Sequence, residues 1–347
     1  MKALLYSARY ELEEQSDADR YIKVIKGSLE MVDVESSNIP LGKFDLIHLT
    51  SPISESKINE INEQNIPVIL SAFYSENDPT LSFFEHNSRD NESKLMINNK
   101  NIGIFNKADL ILVPNEETVN LLKEYGIERP IKAMIPGTNL AIFDFFRQDE
   151  KDIFYRYFKE DSKRKIVIST GVVNNGIADG FGPVIAAAKK SPNASFYYLG
   201  FTRGKKAITL ALKRKINNAP KNVHFCTNIP SDILRSAMYN ASIYLNACYN
   251  APSIIYLLSA MAAKCQIVSR KNLMLEGYIE NEVNGYLAEY TETLGILVRE
   301  LLNEEIKPTI DNAYEFVKKY SMERFGSELK EIYKTVINNR KEDKLLW

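Results

Sequence analysis

Several groups of residues in this 347-residue chain are of types that could do chemistry. The stretch GVVNNGIADGFGPV places Gly171, Asn174, Asn175, Gly180 and Gly182 just ahead of a helix-forming run. A glycine-bearing turn at a helix start can offer bare N–H groups to an anion such as a phosphate. Asp179, inside the same stretch, works against that role because its charge has the wrong sign. Downstream, TRGKK supplies Arg203, Lys205 and Lys206, three cations that could neutralise a diphosphate. Asp17 and Asp19 have the Asp-x-Asp spacing of some metal sites, but they stand where a helix begins. Helix capping and the helix dipole account for them without a metal.

The remaining reactive residue types are few. His48 lies in the alternating strand-like FDLIHLT, where a hydrogen-bonded core imidazole is the simpler role, and His86 and His224 complete the set. Cys226, Cys248 and Cys265 are odd in number, sit among apolar neighbours and lack C-x-x-C spacing. They are read as reduced core cysteines rather than as disulfides or zinc ligands.

Bulk charge narrows the partners. With 44 Lys+Arg against 45 Asp+Glu the formal net charge is −1, so no global field draws the chain to nucleic acid, and no RNA-binding or helix-turn-helix signature appears. The stretch 203–221 is a local exception, mixing cations with Ile208, Leu210, Leu212 and Ile216. It reads either as a solvated helix with a core-facing stripe or as a patch for anionic lipid headgroups. No signal peptide and no span of about 20 apolar residues is seen, so a cytoplasmic protein, at most peripheral at the inner face of the membrane, is expected.

The elements that must position these groups follow from hydrophobic patterning. Apolar runs KALLYS, MVDV, FDLIHLT, PVILSAF, DLILVP and IKAMIPG alternate with amphipathic stretches in the first half, the pattern of βαβ units around a parallel sheet. The series restarts with KIVISTGVV, SFYYLG, VHFCTNI, IYLNACY, CQIVSR and GYLAE. Between the two series, FDFFRQDEKDIFYRYFKEDSKR mixes charge and aromatics without a strand. It reads as a linker whose rings pack between domains. The expected division is therefore 1–145, linker 146–163, 164–320 and a C-terminal helix in 321–347, with an α/β fold of two Rossmann-like domains.

In order and spacing, KADLILVPNEETVNLLKEYGIERPIKAMIPGTNLAIF, PNASFYYLG, NVHFCTNIPSDILRSAMYNASIYLNA, IENEVNGYLAE and the closing YSMERFGSELKEIYKTVI resemble the two-domain GT-B glycosyltransferases, particularly the retaining family 4 enzymes. The resemblance runs nearly end to end. It implies an acceptor-side first domain, a donor-side second domain, a cleft between them and a last helix that returns to the first domain. It also implies a nucleotide-sugar such as a UDP-sugar as ligand, with no metal and no other cofactor.

The resemblance further implies four donor and acceptor contacts, and this sequence departs at each. The glycine-bearing loop after the first strand corresponds to Ser16–Arg20, which contains no glycine and leaves Asp17 and Arg20 as acceptor-side candidates. A His-Gly-His-like turn corresponds to Ser71, Ala72 and Phe73. The Arg/Lys pair expected after the first strand of the second domain meets Ala178 and Asp179. Two glutamates separated by seven residues correspond to Ala251 and Ser259, near Ser253, and no Asp or Glu occurs from Asn240 to Lys271.

Together these departures imply a degenerate donor site. The expected function is a non-catalytic partner or binding subunit, working with an active glycosyltransferase or another protein in bacterial glycan or glycolipid synthesis. The alternatives are an active retaining transferase that uses Arg203, Lys205 or Lys206, and a module that binds an intact glycan or another small ligand.

Overall fold

The computed structural model describes residues 1–7, 17–75, 82–89, 92–145, 147–174, 176–202, 207–250 and 253–342, with the backbone alone for 86–89, 92, 93 and 148. Two compact units result. One comprises Met1–Asn87, Lys94–Gly137 and Tyr320–Trp347, and the other Ser88–Ser93 and Thr138–Lys319.

The first unit is built on a parallel sheet of β1 (Lys2–Tyr6), β2 (Glu35–Ser37), β3 (Leu46–Leu49), β4 (Val68–Ser71), β7 (Leu110–Val113) and β8 (Ile131–Ala133), in the order β2-β1-β3-β4-β7-β8. A separate two-stranded sheet pairs β5 (Phe84–Arg89) with β6 (Glu92–Ile97). The runs LIHL and VILS are buried at every position, as expected for strands covered by helices on both faces. Helix Glu116–Glu124 is started by Asn115, whose side chain accepts from the Thr118 N–H at 2.9 Å. Helix Met322–Glu342, from the end of the chain, belongs to this unit and packs on helix Asp17–Glu30, burying Phe325, Leu329, Ile332, Tyr333 and Val336.

The second unit repeats the plan with β9 (Ile166–Asn174), β10 (Ile177–Ala178), β11 (Ser195–Thr202), β12 (Val223–Thr227), β13 (Ile243–Asn246), β14 (Gln266–Arg270) and β15 (Tyr286–Ala288). Its main path runs β12-β11-β9-β13-β14-β15, all parallel, with β10 folded back antiparallel on β9. Its core joins Phe181, Val184, Tyr198, Leu245, Val268 and Leu294, among others. Two Rossmann-like sheets are thus present, as the patterning predicts.

The aromatic segment after Asp144 folds as part of this second unit. Phe154, in the short helix Ile153–Phe158, is fully buried, and its N–H donates to Ser236 Oγ at 3.0 Å. The rings of Phe154 and Phe158 lie 4.9 and 4.8 Å from that of Tyr197 on β11. The chain passes from the first unit to the second between Gly137 and Thr138, ahead of this segment.

Strand order locates the functional edge of each sheet. The order reverses between β1 and β3 in the first unit and between β9 and β13 in the second. Ligands of open parallel sheets bind beyond the carboxyl ends of the strands at such reversals, because the crossovers diverge there and leave a crevice.

Candidate functional site

In the second unit, the chain leaving β9 does not run as an open glycine loop. Asn174 and Val173 pair with Ile177 and Ala178, so the stretch turns back along the strand before the helix begins. Asp179 then donates its N–H to Val172 O at 3.1 Å, and Gly180 takes a left-handed conformation (φ 79°) that starts helix Phe181–Lys190. Gly171 is closed over: a Cβ there would overlap Tyr198 Oη and the Asp179 carbonyl oxygen. Tyr198 Oη donates to that same carbonyl at 2.7 Å. Gly182 lies in the first helical turn, where a Cβ would meet Lys215 Nζ at 3.4 Å.

Asp179 has a role that its charge sign alone did not reveal. Its side chain is 3% exposed and reaches across the sheet reversal to the loop that follows β13. There the Tyr249 N–H donates to Oδ1 and the Asn250 N–H to Oδ2, both at 2.9 Å. The two oxygens of one carboxylate thus satisfy two consecutive backbone donors. Charge-assisted bonds of this kind are among the strong ones in proteins.

Behind this loop stands Arg270, at the end of β14 and 4% exposed. Its guanidinium carbon lies 3.9 Å from the centre of the Tyr249 ring. Nη2 donates to Thr291 Oγ1 at 2.9 Å and Nη1 to Glu289 O. Burial pulls the Arg270 guanidinium below its ordinary value, opposed by Tyr249 and the negative Asp179. Tyr249 Oη also meets Thr291 Oγ1 at 2.9 Å, and Asn272 Nδ2 donates to Tyr249 O at 3.2 Å. The sequence contains the signal for Arg270, a charge closing the apolar strand CQIVSR, but nothing in the local pattern says that it turns inward.

The other donor-side candidates are distributed as follows. Ser253 caps helix Ile254–Ala262, its Oγ accepting from the Tyr256 N–H at 3.2 Å. Ser259, on the same helix, donates its hydroxyl to Ile255 O at 2.7 Å, so the group is spent within the helix. Asn175, Arg203, Lys205, Lys206 and Ala251 lie outside the described residues. Of the basic stretch, helix Leu210–Asn217 turns Leu212 into the core with Ile208 and Ile216 packed beside it. The same helix leaves Leu210, Lys213, Arg214 and Lys215 exposed.

In the first unit, Ser71 and Phe73 come together with Tyr21 of the helix that carries Asp17 and Arg20 in its first turn. Phe73 is buried and stacks on Tyr21 with centroids 4.8 Å apart. Tyr21 Oη donates to Ser71 Oγ at 3.1 Å, and Ser71 Oγ meets His48 Nε2 at 2.6 Å. His48 Nδ1 meets Tyr333 Oη at 2.6 Å. His48 is thus the satisfied core imidazole its strand predicted, and burial pushes its pKa down to about 3. Burial likewise pushes the Cys226 thiol up to about 11 and the Cys265 thiol higher, so neither is a ready nucleophile. Among the described residues, no three His, Cys, Asp or Glu side chains are grouped to hold a metal ion.

No family model matches the chain. It is 26% identical over 341 residues to a processive diacylglycerol alpha-glucosyltransferase of Acholeplasma laidlawii, covering 97% of this chain and 99% of that protein. Among solved structures it is similar to a sucrose-phosphate synthase from Thermosynechococcus elongatus, with TM-score 0.74 and 13% identity over 97% of this chain and 99% of the other. A structure of Anabaena HepE in complex with UDP matches with TM-score 0.70 and 13% identity, covering 96% of this chain and 100% of that one. The fold is the GT-B glycosyltransferase fold, with two Rossmann-like domains.

Proposed function

We propose that this chain is a glycosyltransferase-type protein whose donor chemistry has lapsed, serving as a non-catalytic partner or binding subunit in glycan or glycolipid synthesis. One observation carries the reading. In the stretch where the resemblance implies a cation for the departing nucleoside diphosphate, the second unit holds the buried carboxylate of Asp179. Growing negative charge on a leaving diphosphate must be met by cations or N–H groups aimed at it, and a fixed anion at that place raises the barrier instead. Ser259 supports the same reading, since it stands where the resemblance implies a glutamate and its hydroxyl is turned back on its own helix.

The A. laidlawii relative's name specifies diacylglycerol as acceptor, and a lipid-linked glycan route is accordingly the proposed setting. Among the described residues no helix is long and apolar enough to cross a membrane. Peripheral attachment through 203–221 is proposed, with Leu210 and the exposed Lys213 and Arg214 against anionic headgroups. The partner would then be an active transferase acting at the same surface.

An active retaining transferase is the competing reading, favoured by a match to an enzyme along 97% of this chain. The test is to incubate the purified protein with UDP- and GDP-sugars and diacylglycerol or a glycolipid, and to follow sugar transfer. No turnover by the protein alone is expected. Steady turnover that vanishes in a Lys205→Ala/Lys206→Ala variant would overturn the non-catalytic reading.

A further inference from the structure

We propose that the outer edge of β12 is a docking surface for a second copy of this chain, the two β12 strands pairing antiparallel about Phe225 so that two second-unit sheets become one. The inference goes beyond the non-catalytic reading and does not depend on it, because pairing at this edge is compatible with an active or an inactive chain.

The outer strands of the two large sheets are not alike. The sheets end at β2 and β8 in the first unit and at β12 and β15 in the second. β2 (ESS), β8 (IKA) and β15 (YLA) have 3 residues each, and the first two carry Glu35 and Lys132. Short or charged edges are what soluble proteins use to discourage strand addition. β12 has 5 residues, VHFCT, with no Asp, Glu, Lys, Arg, Pro or Gly among them, and every one is partly exposed.

The register with β11 fixes which main-chain groups face outward. The Phe196 N–H donates to Asn222 O at 2.8 Å and the Asn228 N–H to Gly200 O at 3.0 Å, so the even-numbered residues of β12 spend their groups on β11. The N–H and C=O of Phe225 and Thr227 then point away from the sheet, as does the C=O of Val223, whose N–H turns back to Pro220 O at 2.9 Å. Among the described residues none of these outward groups has a main-chain partner. The set is symmetrical about Phe225. In an antiparallel pair each Phe225 exchanges both bonds with its copy, and each Thr227 N–H meets the Val223 carbonyl of the other strand. A closed two-fold dimer requires this antiparallel arrangement, since its two surfaces must be the same patch.

Charge favours the same partner. Lys221, just ahead of β12, and Asp232, in the first turn of helix Ser231–Asn240, are both exposed. Antiparallel pairing sets the lysine end of one copy against the aspartate end of the other, whereas a parallel neighbour would set like against like. Between these ends, His224 stacks on Tyr197 at 4.4 Å, and burial holds its imidazole below the ordinary value, so the strand is uncharged at neutral pH. A contact made mainly by two short strands lies at the small end of specific interfaces, so the dimer should dissociate on dilution.

The experiment is sedimentation velocity of the full chain across a dilution series at neutral pH, in the wild type, Thr227→Pro, Lys221→Glu, Asp232→Lys and Lys221→Glu/Asp232→Lys. Proline is tolerated on an edge strand where its missing N–H faced solvent, so Thr227→Pro should keep the wild-type circular dichroism. Wild type is expected to be a reversible dimer, and Thr227→Pro should associate about tenfold more weakly or worse, having lost a donor from each copy. Each single charge reversal should weaken association, and the double reversal should restore it. A wild type that stays monomeric at every concentration overturns the proposal, whatever other protein it binds. So does a folded Thr227→Pro that dimerises as the wild type does. Should Thr227→Pro fail to fold, the charge reversals decide: single variants that associate like the wild type overturn the edge pairing, and loss with recovery in the double variant supports it.

Discussion

A single methyl group tests how tightly the candidate site is closed. Replacing Gly171 by alanine would drive its Cβ into Tyr198 Oη and the Asp179 carbonyl, both held in a short buried contact. Overpacking of this kind costs about 1–3 kcal/mol. The expected outcome is a lower urea midpoint for the second unit's part of the unfolding curve, measured by far-UV circular dichroism. A stability equal to wild type would show that β9 has room that the geometry denies. At this scale the sequence was partly readable. The glycines of 171–182 were visible, but their use was not, because a glycine that admits a ligand and one that admits a tyrosine look alike in a single chain. Asp179 was visible as a charge of the wrong sign, yet its partners are main-chain N–H groups about 70 residues away, which no local pattern encodes.

Among elements, the helix Met322–Glu342 is tied to the first sheet by the relay Tyr333–His48–Ser71–Tyr21. Tyr333→Phe leaves one nitrogen of a buried imidazole without its partner, a loss of about 1–3 kcal/mol. Chemical denaturation should report it. The pH dependence follows from the downward shift of His48 to about 3. The folded state holds the ring neutral, whereas the unfolded chain takes up a proton below its ordinary value near 6.5. His48 thus contributes stability that is complete above about pH 6.5 and declines as pH falls toward 3, at up to about 1.4 kcal/mol per pH unit. Unfolding measured at pH 7 and pH 4.5 should show this slope in the wild type and a smaller one in His48→Gln. Equal slopes would remove His48 from the account. Elements with strong periodicity were legible: ADRYIKVIKGSLE, FDLIHLT and IYLNACY fall on helix Asp17–Glu30, β3 and β13. The pairing of β5 with β6 was missed because FEHNSR and ESKLMI are short and polar, closer to loop than to core strand. The aromatic stretch around Phe154 was read as a linker because its short helices give too few turns for periodicity to show.

For the molecule as a whole, each unit has its own parallel sheet and buried interior, so heat should not melt the chain in one step. Scanning calorimetry is expected to give a calorimetric enthalpy larger than the van't Hoff value. Tyr333→Phe should move one component of the transition and Gly171→Ala the other. A single transition that both substitutions shift in the same way would contradict this. The bookkeeping of the chain between the units has a consequence for synthesis. Nearly all of the second unit is one continuous run, Thr138–Lys319, whereas the first unit needs Tyr320–Trp347 as well as its opening segments. On the ribosome, then, the usual order in which the earlier domain matures first is reversed. The nascent second unit can finish while the first still waits for helix Met322–Glu342 to deliver Tyr333 to His48, and a stop introduced before residue 322 would leave that imidazole without its Tyr333 partner, with Ser71 alone.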